Sequence, residues 1–391
     1  MNRRQLTMVP VICVFISFGV IKLAAQGQPQ QGSRQASSDK PLLSEQAFKN
    51  VQLLRGIPVD EFMQTMGFFS ASTGFNCTEC HTEESGGDWA KYADDAPLKQ
   101  VARKMIVMVA TINQANFGGN REVTCWSCHR GGNRPQVIPR LSVQYSNVMD
   151  DEPDETTPGS GVPSADQILD RYLEALGGSQ RVSSVTTLTE RGTYEGYDTG
   201  QSPMPVEIYA KTPNSKATVI HTLTGDNSLI FDGSSGWVAA PQNMSLIPVV
   251  PLTGGELDGT SIEAKMLFPA QIKQFLTDWR VGNDATIEDK DFQVVQGRIK
   301  QGGLPVRLYF DKETNLLSRL VRYSQSPVGI VPKQIDFSDY RVVSGIKIPF
   351  KLVATWTDGQ STTLLNDAKI NLPIEATRFG KPNAPIEPPK R

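Results

Sequence analysis

The chain of 391 residues contains little histidine and little cysteine, and neither sign of charge is in excess. It has only three His and five Cys, and 39 Lys and Arg residues stand against 41 Asp and Glu residues. A net charge near zero argues against a nucleic-acid partner, because such proteins usually carry a basic patch and a basic excess. The sequence has no metal-spaced His cluster, no nucleophile elbow and no phosphate loop. We therefore expect no catalytic residues and no enzyme.

Four of the five cysteines lie in two copies of the pattern Cys-x-x-Cys-His, at residues 77–81 and 125–129. This pattern is typical of covalent c-type haem attachment. On a helical turn the two thiols and the following imidazole share one face, so the thiols can bond the haem edge while the imidazole reaches the iron. The pattern predicts two haem c groups. The residues expected to hold them are the four thiols Cys77, Cys80, Cys125 and Cys128, with His81 and His129 as proximal iron ligands.

Three other uses of paired cysteines are alternatives to haem attachment. A four-cysteine zinc site usually separates its pairs by roughly fifteen to twenty residues, whereas Cys80 and Cys125 are more than twice as far apart. A thioredoxin-like redox motif would need a strand-helix context and no second copy. Two ordinary disulfides would leave both histidines unexplained. Haem attachment accounts for every residue of the pattern.

The scarcity of histidine also restricts the second axial ligands. Two haems with two His each would need four, and the third histidine, His221, lies far along the chain in a predicted β region. We interpret His221 as an ordinary strand residue. Methionine is the remaining common ligand, and it raises the reduction potential of a haem. Each predicted helix before a motif offers a pair with i, i+3 spacing, so spacing alone does not choose within a pair. The pairs are Met63 with Met66, and Met105 with Met108.

Four segments resemble the cytochrome c subunit of photosynthetic reaction centres. They are NVQLLRGIPVDEF at residues 50–62, GFNCTECH at 74–81, ARKM at 102–105 and VTCWSCHRG at 123–131. The resemblance covers about residues 45–140. In that family each haem is built from a ligand helix, a turn and an attachment helix, and the subunit re-reduces the photo-oxidised special pair. By position, the resemblance implies Met66 as the ligand of the first haem iron and Met105 as the ligand of the second.

This chain departs from the family pattern in two related ways. The well-known members have four haem motifs, so the chain resembles one half of such a subunit. In that half the family also supplies a His to a haem of the other half, and residues 114–121 here contain none. Loss of this ligand agrees with loss of the other haem pair.

The N-terminus predicts export. Residues 1–25 have Arg3 and Arg4 followed by a mainly apolar run, which is typical of a signal peptide. Leu23 fits a cleavage site poorly, so an uncleaved anchor to the inner membrane is the alternative. A cleaved signal peptide and an uncleaved anchor both predict a periplasmic protein. The fifth cysteine, Cys13, lies in this leader.

The pattern along the chain predicts a multidomain protein in which a mainly α multihaem cytochrome c domain precedes an α+β domain. The second domain should have a curved antiparallel sheet, loosely similar to the half-barrel of periplasmic lipoprotein carriers. Its helices are predicted at residues 165–176 and 262–279, and segments such as 206–210, 306–310 and 346–356 alternate or run apolar like strands. The predicted boundaries are 26–40 for a disordered tether, 41–145 for the dihaem domain, 146–163 for an acidic linker, 164–376 for the β-rich domain and 377–391 for a Pro-rich tail.

These features predict an exported dihaem c-type cytochrome that carries out single-electron transfer. Its expected partners are a membrane-bound redox complex, either a reaction centre or a respiratory complex, and a small soluble electron donor. A lipophilic ligand in the C-terminal domain is a further expectation. Two alternatives stay open: a dihaem peroxidase-like enzyme, and an envelope protein that binds a lipophilic ligand and senses redox state through its haems.

Overall fold

The computed structural model describes residues 40–135, 161–241, 247–287, 289–299 and 303–384. The predicted export segment, nearly all of the tether, most of the acidic linker and the end of the Pro-rich tail lie outside these residues. Their predicted boundaries remain predictions. No helix of the described part is both long enough and apolar enough to cross a membrane.

Residues 40–135 are helical. Helix α2 begins after Pro58 with Asp60 and Glu61 in its first turn, where negative charge favours the helix, and it ends at Gly74. Helix α4 has Pro97 at its first position, which suits a residue without an amide hydrogen. The two motifs form the short helices that follow each of these. The five helices are α1 (Ser44–Ala47), α2 (Val59–Thr73), α3 (Cys77–Cys80), α4 (Pro97–Asn116) and α5 (Cys125–His129).

The C-terminal region contains an antiparallel sheet of fourteen strands within the described residues. Along the sheet the order is β6-β5-β4-β3-β2-β1-β14-β13-β12-β11-β10-β9-β7, with β8 paired to β9. The strands are β1 (Thr187–Gly196), β2 (Met204–Lys211), β3 (Ser215–Thr222), β4 (Gly225–Phe231), β5 (Gly236–Ala239), β6 (Val249–Pro251), β7 (Thr277–Val281), β8 (Ala285–Ile287), β9 (Lys290–Arg298), β10 (Pro305–Asp311), β11 (Leu317–Ser326), β12 (Gly329–Val343), β13 (Ile346–Trp356) and β14 (Gly359–Ile370).

Helices cover the main hydrophobic core of this sheet. The helix predicted from residue 165 is confirmed as α6 (Ala165–Leu176), which Ser164 caps and whose apolar stripe is buried. The helix predicted over 262–279 is only partly present. That stretch contains the end of α8 (Gly254–Lys265), a single 3₁₀ turn and α9 (Ile272–Phe275), and Trp279 lies in β7. The remaining short helix is α7 (Ser179–Ser183).

Polar side chains of α2 bind the residue that precedes α8 and a residue of strand β11. The Asp60 carboxylate accepts hydrogen bonds from the Thr253 amide at 2.7 Å and from the Thr253 hydroxyl at 2.9 Å. One turn later, the Gln64 side-chain oxygen accepts a hydrogen bond of 2.8 Å from the Ser324 hydroxyl of β11. Burial raises the pKa of Asp60, and the hydrogen bonds from Thr253 oppose that shift. These contacts join helix α2 to the sheet.

A buried ion-pair network lies directly behind the Gln64 contact. Arg322 of β11 is almost fully buried and binds both carboxylate oxygens of Glu256, at 2.9 and 3.0 Å. Its Nε also donates to Glu263, which Lys333 of β12 approaches at 2.9 Å. A buried arginine needs such partners, since an unpaired buried charge is strongly destabilising. The network therefore fixes α8 on the sheet beside the surface that α2 occupies.

An apolar contact completes the packing of α2. Phe68 is buried against Val328 and Val331 at the β11–β12 hairpin, and Cys125 packs at the edge of the same cluster. A Cβ built on Gly329 would lie 2.3 Å from the ring of Phe68. Only glycine therefore leaves room for the ring. The sheet and the second haem motif meet at this cluster.

Candidate haem-binding region

The first motif is a capped single turn. The Asn76 side chain accepts a hydrogen bond from the Glu79 amide at 3.2 Å, and the Glu79 carboxylate accepts one from the Asn76 amide at 2.6 Å. This reciprocal cap stabilises a helix that is too short to be stable by itself. His81 follows as the C-cap residue, with its amide bonded to the Cys77 carbonyl. The two thiols and the imidazole are thereby held on one turn.

The second motif has the same local design. The Thr124 amide donates to the Ser127 hydroxyl at 3.0 Å, and the helix ends at Arg130, which has a left-handed backbone with φ of 48°. Gly131 also has a positive φ. The chain therefore turns back at once after His129 and brings the Gly132 carbonyl beside the imidazole.

Both imidazoles are oriented by a backbone carbonyl. Nδ1 of His81 lies 3.0 Å from the Tyr92 carbonyl oxygen, and Nδ1 of His129 lies 3.0 Å from the Gly132 carbonyl oxygen. A carbonyl oxygen can only accept, so each Nδ1 donates and each Nε2 retains its lone pair. This is the arrangement by which proteins fix a metal-ligating imidazole. Burial lowers the pKa of His81, as does the Lys99 ammonium, which favours the neutral ring.

The four cysteines are free thiols on exposed or half-buried positions. Burial raises the pKa of Cys77, Cys80 and Cys125. The carboxylate of Asp358 raises the pKa of Cys77 further. Among the residues that the model describes, no three or more His, Cys, Asp and Glu side chains are grouped as a metal site would need.

Burial distinguishes the two members of each methionine pair. Met63 and Met108 have exposed side chains, with relative exposures of 52% and 42%. Met66 and Met105 are half-buried on the same helices. A ligand enclosed with its haem is expected at the less exposed position. This observation supports the choice of Met66 and Met105 that the family resemblance implied.

The two repeats pack crosswise. Helix α2 contacts α5, and helix α3 contacts α4, so each Met-bearing helix lies beside the attachment helix of the other repeat. The Asn113 side chain at the end of α4 bonds both backbone groups of Val123, at 2.7 and 2.9 Å. At the end of α2, the Ser72 carbonyl accepts a 2.9 Å hydrogen bond from the Gly131 amide. The ends of α2 and α4 thus both position the second motif.

The surroundings of both motifs fit a large planar apolar group with polar edges. Asn113 is the only buried residue of helix α4. Several large apolar side chains of this helix are exposed. They include Leu98, Val101, Val107 and Met108. Two buried hydroxyls near the motifs, Ser72 Oγ and Thr82 Oγ1, have no hydrogen-bond partner in the described structure. Unpartnered buried polar atoms are rare and often mark an absent group.

Three functional contacts are not visible as sequence patterns. Gln64 and Phe68 contact the sheet, and Asp60 binds Thr253 at the start of α8. Phe68 could have been expected to shield a porphyrin, but its ring packs on the β11–β12 hairpin instead. Nothing in the local sequence marks these positions, because their partners are more than 190 residues away.

Comparison with known proteins supports the family resemblance. Residues 20–193 match the family model described as photosynthetic reaction centre cytochrome C subunit. The chain is 35% identical over 113 residues to the photosynthetic reaction center cytochrome c subunit of Thermochromatium tepidum, a match covering 28% of this chain and 26% of the relative. It is 35% identical over 107 residues to the subunit of Roseobacter denitrificans, covering 25% and 27%. The match thus spans about a quarter of the length of these relatives.

Two solved structures are similar to part of the chain. A DUF1329 family protein from Desulfovibrio piger has a TM-score of 0.39 at 12% identity and covers 56% of this chain and 98% of that protein. A LolA superfamily protein from Nitrosomonas europaea has a TM-score of 0.37 at 15% identity and covers 56% and 99%.

Both Cys-x-x-Cys-His motifs lie within the matched residues 20–193. In this part the chain is similar to the photosynthetic reaction centre cytochrome c subunit family.

Proposed function

We propose that the chain is an exported dihaem c-type cytochrome that transfers single electrons. The observation that carries this proposal is the pair of Cys-x-x-Cys-His helices, in each of which a carbonyl oxygen holds the imidazole Nδ1 at 3.0 Å. Neither zinc nor a disulfide needs a histidine oriented in this way after the second cysteine. Bound haem supplies a one-electron iron couple.

The residues of the two sites have distinct roles in this proposal. The thiols would hold the porphyrins covalently, and the imidazole Nε2 atoms of His81 and His129 would bind the irons. Met66 would supply the second ligand of the first iron and Met105 that of the second, which would favour electron transfer over chemistry at an open iron. The thiols that attach the haems are Cys77 and Cys80 for the first, and Cys125 and Cys128 for the second.

The proposed partners follow from the family resemblance. A membrane-bound redox complex, either a reaction centre or a respiratory complex, would accept electrons, and a small soluble protein would donate them. The proposed attachment of haem c and the predicted leader both support a periplasmic location. Because the chain matches only about a quarter of the length of its relatives, the choice between the two complexes is part of the proposal.

Haem stoichiometry tests the proposal directly. We expect the mature protein, produced in a host with haem c maturation, to carry two covalent haems per chain by pyridine haemochrome assay and intact mass. The double substitution Cys77→Ser with Cys80→Ser should leave one haem, and so should Cys125→Ser with Cys128→Ser. A colourless protein would contradict the proposal. A high-spin haem with peroxide turnover would instead identify a dihaem peroxidase.

A cavity in the β-rich region is the basis for a second proposed role, the binding of a lipophilic ligand. The cavity has a volume of about 100 Å³ and lies between the helices and the sheet, with a mainly apolar lining that includes Tyr172, Leu320 and Phe337. Drug-sized ligands usually occupy roughly 300–1,000 Å³, so a lipid would enter only if the cavity opened. Mass analysis of an organic extract of the purified protein tests this role. A stoichiometric lipid or quinone is expected, and an empty extract would contradict it.

A further inference from the structure

The turn between β13 and β14 reaches helix α2 beside the proposed ligand of the first haem. Asp358 lies in this turn, and a Cβ built on Gly67 would lie 3.0 Å from its Oδ2 and 3.1 Å from its Oδ1. The carboxylate therefore rests on the backbone of α2 at the residue that follows Met66. A Cβ at position 67 would require this carboxylate to shift by a few tenths of an ångström.

The carboxyl is partly enclosed in this turn. Burial raises the pKa of Asp358, and the Trp356 side chain opposes that shift. The ring of Trp356 folds across the turn, where a Cβ on Gly359 would lie 2.6 Å from it. The turn is thus shaped to present one carboxylate to the helical region.

Asp358 also faces the first attachment helix. Its charge acts on the thiol of Cys77, which the proposed function assigns to the first haem. Within the part of the chain that the model describes, no Lys or Arg forms an ion pair with Asp358. Its charge therefore lies next to Gly67 and acts on Cys77, and no ion pair within the described residues offsets it.

We propose that Asp358 is an electrostatic determinant of the first haem, and that its carboxylate lowers the reduction potential of that haem. This inference rests on the proposed dihaem function. The ferric state carries one more positive charge than the ferrous state, so a nearby carboxylate stabilises the ferric state. Local charge is one of the means by which proteins set haem potentials. The β-rich region would then contribute a residue to a site that the cytochrome region does not complete alone.

Potentiometric titration of the mature protein at about pH 8 tests the inference. In Asp358→Asn, which removes the charge and nearly keeps the shape, we expect one of the two reduction waves to move to a higher potential and the other to stay. The moving wave should be the one that Met66→His lowers, because that substitution exchanges the thioether of the first haem for an imidazole. Asp358→Ser, which differs in size but also lacks the charge, should shift the same wave in the same direction.

The matched control is Asp339→Asn. Asp339 is exposed, forms an ion pair with Arg341, and lies ten residues beyond Gly329 on β12, roughly 30 Å along the strand. We expect both waves to be unchanged. If Asp358→Asn moved neither wave, moved both equally, or moved the wave in the opposite direction from Asp358→Ser, the inference would be wrong while the dihaem function stood. Absence of covalent haem from the unsubstituted protein would overturn both.

Discussion

The two members of each methionine pair differ in burial. Met66 and Met105 are half-buried, and Met63 and Met108 are exposed one helical turn away. We predict that Met66→Ala and Met105→Ala each remove the sulfur-to-iron charge-transfer absorption of one haem, because each removes one axial thioether. Near-infrared spectra of the oxidised protein measure this. Met63→Ala and Met108→Ala are the matched controls and should keep the full band. An unchanged band in Met66→Ala or Met105→Ala would show that the assignment is wrong.

Glu190 is a buried carboxyl whose ionisation should lower the free energy of unfolding. Burial raises its pKa from 4.5 to about 7, against the effect of the Lys216 ammonium. Between these pH values the folded state holds the proton and the unfolded state does not, so the free energy of unfolding falls as the pH rises through this window. Above about pH 7 the free energy of unfolding no longer falls because of Glu190, since the carboxyl is then ionised in both the folded and the unfolded state.

We predict that Glu190→Gln removes this fall and raises the free energy of unfolding at pH 8 by about 1–3 kcal/mol. Urea unfolding at several pH values measures it. Glu195→Gln is the control, since Glu195 is exposed on the same strand β1, and it should leave the pH dependence unchanged. A Glu190→Gln protein with the same pH dependence as the unsubstituted protein would show that Glu190 ionises normally.

At the scale of elements, the contact between α2 and the β11–β12 hairpin requires a glycine at position 329. The Phe68 ring occupies the space that a Cβ on Gly329 would need. We predict that Gly329→Ala lowers the free energy of unfolding by about 1–3 kcal/mol, because the ring must leave a well-packed site. The urea midpoint measures this. Gly87→Ala, where a Cβ would meet no atom within 4 Å, should change it little, and Phe68→Leu should relieve part of the Gly329→Ala effect.

Some helices and strands are predicted by local sequence patterns, and others are not. Helix α6 was predictable because its apolar stripe, Ser164 cap and terminal Gly177 agree. Strands β1 and β14 were not predicted, although they pair with each other in the middle of the sheet order. Both are rich in polar and charged residues, and their pairing joins segments about 170 residues apart. Backbone hydrogen bonds between such strands leave no periodic signal in a single sequence.

At the scale of the whole molecule, the helical region and the sheet are joined by Asp60, Gln64 and Phe68. We predict that Phe68→Ala lowers the free energy of unfolding by about 3–5 kcal/mol, as for other buried aromatic truncations. The haem absorbance should then change at a lower temperature than the far-ultraviolet signal of the sheet, whereas both change together in the unsubstituted protein. Leu223→Ala, at a side chain that is 86% exposed, is the control. Coincident transitions in Phe68→Ala would show that the contact does not couple the two regions.

The sequence by itself determined the two Cys-x-x-Cys-His motifs, the shortage of histidine that excludes bis-histidine ligation of two haems at once, and the presence of a strand-rich C-terminal region. These are local features, since ligand spacing on one turn and apolar periodicity need no distant partner. Only the tertiary structure decided which carbonyl orients each imidazole, which methionine of each pair is half-buried, and which residues of α2 face the sheet. It also placed Asp358 next to Gly67, about 290 residues away in the chain. Such contacts arise when strands and helices pack, and a single sequence does not encode them as a pattern.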